Sequence, residues 1–128
     1  MKTSYFARAA RHLQAVSIVT YTPKYFTGRV YPDLAPSVDL MRHWIQNHDR
    51  IYFTERFLEE TLTQLDPHKV YADLGENAIL LAYEPAGEFS HRIIVAQWFE
   101  QSLGIAVPEY STENRSKRRH RDVSGKLV

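Results

Sequence analysis

The stretch from Ala78 to Glu109, AILLAYEPAGEFSHRIIVAQWFEQSLGIAVPE, constrains the fold of this chain most. Ala78 to Tyr83 is apolar throughout, with no polar alternation. A strand of that kind is covered on both faces, which favours a parallel sheet. Ile94, Val95, Trp98, Phe99 and Leu103 then recur at helical spacing, and Gly104 ends the run. Ile105 to Val107 reads as a further short strand. Strand, helix and strand within about thirty residues form a βαβ unit, expected to be right-handed.

The rest of the chain fits around that unit. Phe6, Ala9, Ala10 and Leu13 recur at three and four residues, so Thr3 to Leu13 is predicted as a helix. Ala15 to Tyr21 is short and β-branched, a first strand. Thr22 to Pro36 combines Pro23, Gly28, Pro32 and Pro36 with many aromatics and reads as an ordered loop. Ser37 is an N-cap with Asp39 in the first turn of a helix that buries Leu40, Met41, Trp44 and Ile45. A second helix covers Tyr52 to Leu65, with Phe53, Phe57, Leu58, Thr61, Leu62 and Leu65 on one face. Asp66-Pro67 starts a third, and Gly75 closes it.

A length of 128 residues fits one domain. Residues 1–109 are expected to form it, with 110–128 a basic, flexible tail. The tail carries six basic and two acidic residues, a net +4, which leaves −3 for residues 1–109. The chain holds no cysteine, which excludes disulfides, thiolate catalysis and cysteine metal sites. No apolar run approaches the roughly 20 residues that span a bilayer. The N-terminus lacks the apolar core of a signal peptide. A soluble, cytoplasmic protein without a membrane partner is expected.

Glu84 follows the apolar strand, and Ser90, His91 and Arg92 open the next helix. In parallel α/β sheets the carboxyl ends of the strands face the ligand crevice. A helix start offers unpaired N–H groups and a partial positive charge, and Arg92 and His91 add to an anion site there. The structural alternative is that Ser90 only caps, His91 is solvated and Arg92 pairs with Glu84. His91 also suits proton transfer, with Glu84 as its acid–base partner. The loop after the first strand brings Lys24 and Arg29 as phosphate contacts and Tyr25, Phe26 and Tyr31 as stacking surfaces. Those aromatics can equally form the loop's own miniature core. Arg115 to Arg121 would attract a polyanion. The six histidines are not spaced as metal ligands, and no HExxH, P-loop, GxGxxG or GxSxG pattern occurs. No metal and no cofactor is implied.

The chain resembles the domain-of-unknown-function 488 family (DUF488) of bacterial and phage proteins. The likeness rests on Ser4-Tyr5-Phe6-Ala7, Val16-Ser17-Ile18, Pro23-Lys24-Tyr25-Phe26 with Gly28, and Leu34-Ala35-Pro36-Ser37. It continues through Leu80 to Glu84, Phe89-Ser90-His91-Arg92 and Val95-Ala96-Gln97-Trp98. Many members carry cysteine before the His-Arg pair and in the preceding strand, where this chain has Ser90 and Ala82. The resemblance implies an α/β, Rossmann-like domain with a pocket, and it supplies no activity.

Taken together, the expected fold is α/β, with a small, mainly parallel sheet flanked by helices. The expected function is binding of an anionic ligand, a nucleotide or nucleic-acid phosphate, near Lys24, Tyr25, Phe26, Arg29, Tyr31, Glu84, Ser90, His91 and Arg92. The alternatives are an enzyme acting on a nucleotide or nucleic acid through His91 and Glu84, and an interaction module for a host protein.

Overall fold

The computed structural model describes residues 1–111. Four strands form one sheet in the order β1-β4-β2-β3, all pairings parallel: β1 is Lys2–Tyr5, β2 Ala15–Ser17, β3 Arg29–Val30 and β4 Ile79–Ala82. The helices are α1 (Phe6–Ala9), α2 (Val38–Asn47), α3 (Arg50–Glu60), α4 (Pro67–Leu74) and α5 (His91–Leu103). This is the expected α/β architecture, with a parallel sheet flanked by helices. β4 lies second in the sheet, and all four of its residues are buried. Its unbroken apolar run follows from that position, because neither face meets water.

The two faces are covered unequally. On one, α2 to α5 pack Phe57, Leu62, Val95 and Phe99 against Val16, Ile18 and Leu80. On the other, Phe6, Ala9, Phe26 and Tyr110 cover Ala15, Val19, Ile79 and Leu81. Ser37 and Asp66 cap as their sequences suggest, and Asp49 is a further cap that starts α3 at Arg50. The side chains of Ser37, Asp49 and Asp66 accept from the backbone N–H groups of Leu40, Tyr52 and His68.

Four expectations need correction. The predicted helix from Thr3 to Leu13 is instead β1 followed by the single turn of α1. Thr3 and Ser4 lie at full burial in the sheet, whereas Leu13 is 96% exposed, so the helical spacing holds for one turn only. Pairing with β4 outweighs the local helical pattern. The loop from 22 to 36 contains β3 and a 3-10 turn at Pro32–Leu34. Ile105 to Val107 is not a strand. Glu100 takes the Val107 N–H at 2.9 Å and Pro108 has none to give, so pairing shrinks to one parallel bridge between Thr3 and Glu109. Ile45, expected in the core, is 67% exposed.

That bridge sits beside a buried ion pair. Arg92 is 0% exposed, and its Nε and Nη2 donate to the two carboxylate oxygens of Glu109 at 3.0 and 3.1 Å. Nη1 donates to the Glu84 carbonyl at 2.6 Å, and the Thr3 hydroxyl donates to the same Glu109 carboxylate at 2.5 Å. One arginine thus ties α5, the end of β4, β1 and the segment after α5 together. The two partners differ in access to water, since the Glu109 side chain is 32% exposed. Glu109→Ala strands a buried guanidinium and is expected to cost about 3–5 kcal/mol. Arg92→Met leaves a carboxylate that reaches solvent and should cost less. Urea unfolding of the two variants measures the order.

Candidate functional site

The chain leaves β2 and β4 in opposite directions. From β2 it passes through the aromatic loop to β3 at one edge; from β4 it passes through α5 to Glu109, beyond β1 at the other edge. Such a reversal between neighbouring strands opens a crevice at their carboxyl ends, the usual ligand position in open α/β sheets. A cavity of about 70 Å³ lies there, lined by Thr20 and Tyr21 after β2, by Tyr83 and Glu84 after β4, and by His91. The Tyr83 hydroxyl donates to the Tyr21 carbonyl at 2.6 Å and fastens the two strand ends together.

His91 is buried, with its ring edge-on to Phe57 at 5.5 Å. Its Nε2 lies 2.7 Å from the Ile18 carbonyl. A carbonyl only accepts, so Nε2 carries the proton and Nδ1 is left as an acceptor. Burial pushes the imidazole pKa down from 6.5 to about 4, against the opposing pull of the Ile18 hydrogen bond and of Glu84. His91 is therefore neutral at ordinary pH. The hydroxyl of Ser90 donates to Glu84 at 2.7 Å. Ser90 occupies the N-cap position of α5 but makes no side-chain cap bond, which corrects the capping role expected of it. The carboxylate beside it competes successfully for the hydroxyl.

The nine residues singled out in the sequence fall into four places. Glu84, Ser90 and His91 meet at the strand ends. Arg92 lies in the interior with all its directions engaged, and its partner is the Glu84 carbonyl, not the Glu84 carboxylate. Arg29 and Tyr31 are turned toward α4. Arg29 donates to the Leu74 carbonyl at 2.7 Å, at the negative end of that helix, and Tyr31 donates to Asp73 at 3.0 Å. Burial and that hydrogen bond raise the Tyr31 pKa to about 12. Lys24 is exposed, and Tyr25 and Phe26 lie beside α1, on the face of the sheet opposite α5. The loop meets the strand ends at its far end, where the Thr20 hydroxyl donates to the Pro36 carbonyl at 2.7 Å and Pro36 lines the cavity. Sequence reasoning missed Thr20, Tyr21 and Tyr83 at the cavity. It also assigned no role to Arg8, Arg11 and His12, which line a groove beside Tyr25 and Phe26.

Around α2 and α3, Phe53 and Phe57 are internal, while Ile45, Ile51 and Tyr52 are exposed. No helix among the described residues is long and apolar enough to cross a membrane. Of the expected basic tail, 110–128, residues 112–128 lie outside the described residues.

The fold is that of an α/β domain with a crevice at the ends of neighbouring parallel strands. A family model described as "Active DUF488-N3 subclade" matches residues 6–103, and the chain belongs to the DUF488 family. No curated protein and no solved structure matches it.

The buried imidazole makes stability depend on pH. Its pKa is about 4 folded and 6.5 unfolded, so between these values the unfolded chain holds the extra proton. Stability is full above pH 6.5, declines as pH falls towards about 4, and is level below. The difference is about 3 kcal/mol. His91→Gln, which keeps a donor for Ile18, should lack this decline. Unfolding of both proteins near neutral pH and near the lower value measures it.

Proposed function

We propose that this protein binds a nucleotide-class ligand at the carboxyl ends of β2 and β4, with a hydroxyl-bearing end of the ligand entering the cavity beside Glu84 and His91. The reversal of chain direction between these strands carries the reading, because it opens the sheet where Glu84 stands. The cavity offers a carboxylate and a neutral imidazole among apolar walls, which suits hydroxyl and amine groups. An anion at the start of α5 is less well served. Arg92 is committed to Glu109, and Glu84 already places a negative charge beside Ser90.

A second reading adds chemistry on the bound ligand. Glu84 acts as general base, and His91 stays neutral as a hydrogen-bonding group. The word "Active" in the description of the matching family model favours this reading, as does the presence of both side chains at one cavity.

Titration calorimetry with the common ribonucleosides and their monophosphates tests binding. Glu84→Gln preserves shape and removes the charge, and it is expected to weaken binding about tenfold or more, the value of one charged hydrogen bond. Equal affinity in wild type and variant would remove Glu84 from the site. For the second reading, chromatography after incubation should show turnover in wild type and none in Glu84→Gln.

A further inference from the structure

A groove of about 800 Å³ lies between α1 and the loop after β2, on the face of the sheet opposite α5. Its size falls within the range of small-molecule sites. Arg8, Arg11 and His12 line one side, Tyr25 and Phe26 the other, and among the described residues no acidic side chain lines it. It is a basic feature on a domain whose residues 1–109 carry −3. Among the described residues neither Arg8 nor Arg11 pairs with a carboxylate. Arg8 rests over the Tyr5 ring at 5.1 Å, which leaves its N–H edge available to a ligand.

The aromatic side is preset. Phe26 meets Phe6 edge-on at 5.4 Å. It also lies where a side chain at position 28 would be, since a Cβ on Gly28 would stand 2.6 Å from Phe26 Cζ. Glycine there lets the ring close down on the loop. Tyr25, 66% exposed, stands at the rim as a free stacking surface.

The two concavities are complementary in size. The strand-end cavity of about 70 Å³ has room for a few atoms only, roughly the volume of two waters. Any nucleotide reaching Glu84 must keep its bulk outside. Phe6 lines the groove and touches Tyr83, a wall of the cavity, at 4.9 Å between ring centres. The groove and the cavity thus lie on either side of one aromatic contact.

We propose that the groove is the ring-and-phosphate subsite for a nucleotide. Its phosphate is held by Arg8 and Arg11, and its base stacks on Tyr25 and Phe26. The assignment deepens the ligand reading above and rests on it for the end that reaches Glu84. The phosphate subsite can fail separately.

The test is calorimetric titration of the full chain with adenosine monophosphate and with adenosine at low salt. Wild type should prefer the monophosphate about tenfold or more. The double variant Arg8→Gln/Arg11→Gln should lose that preference and keep its affinity for adenosine. Both arginines are exposed, so the variant is expected to fold. Lys24→Gln should retain the preference. Tyr25→Ala should weaken both ligands together, through lost stacking. Glu84→Gln should bind both ligands more weakly and still prefer the monophosphate. Equal affinity of wild type for the two ligands overturns the phosphate subsite and leaves the strand-end reading standing. So does a preference that survives the double variant. Binding of neither ligand overturns both.

Discussion

The pairing of Arg92 with Glu109 holds the sheet's geometry in place. A guanidinium without any solvent exposure is tolerated only when its hydrogen bonds are satisfied, and here a carboxylate and a carbonyl satisfy them. The carbonyl belongs to Glu84, so the same pair fixes where the chain leaves β4. The carboxylate also receives the Thr3 hydroxyl, so it fixes the outer edge of β1. The strand ends that frame the crevice are therefore set by a polar contact in the interior. A residue that reads as an anion receptor in the sequence has become a structural anchor.

That reassignment changes which polar groups stand open at the surface. The start of α5 is occupied by internal partners, with Ser90 on Glu84 and Arg92 on Glu109. Arg29 and Tyr31 hold β3 against the carboxyl end of α4. Among the described residues, Arg8 and Arg11 stand at a concavity without a carboxylate partner, where α1 and the turn after it face the Tyr25–Phe26 loop. His91 and Glu84 stay together at the strand ends, one neutral and buried, the other partly open to solvent.

Much of the fold was legible because strong local signals agree with the tertiary arrangement. The run from Ala78 to Tyr83 identifies the inner strand, since only a doubly covered strand is apolar at every position. Ser37, Asp66 and the Asp66-Pro67 pair mark helix starts through short-range hydrogen bonds. The misread segments are those where a long-range partner outweighs the local pattern. Thr3 and Ser4 become strand because β4 offers them a ladder 77 residues away in sequence, at Leu80 and Leu81. Ile105 to Val107 fails as a strand because Glu100 takes the Val107 N–H.

By itself the sequence determined the α/β class, the buried inner strand, the membership in the DUF488 family and the grouping of Glu84, Ser90 and His91. Each of these depends on residues close together in the chain or on a pattern of residue types. Only the tertiary structure decided the partners of Arg92, Arg29 and Tyr31, the neutrality of His91 and the meeting of α1 with the aromatic loop. The physical reason is the same in every case. A charged or hydrogen-bonding side chain is assigned by which acceptor lies within about 3 Å of it, and chain folding alone brings Glu109, Leu74, Asp73 and Ile18 to that distance.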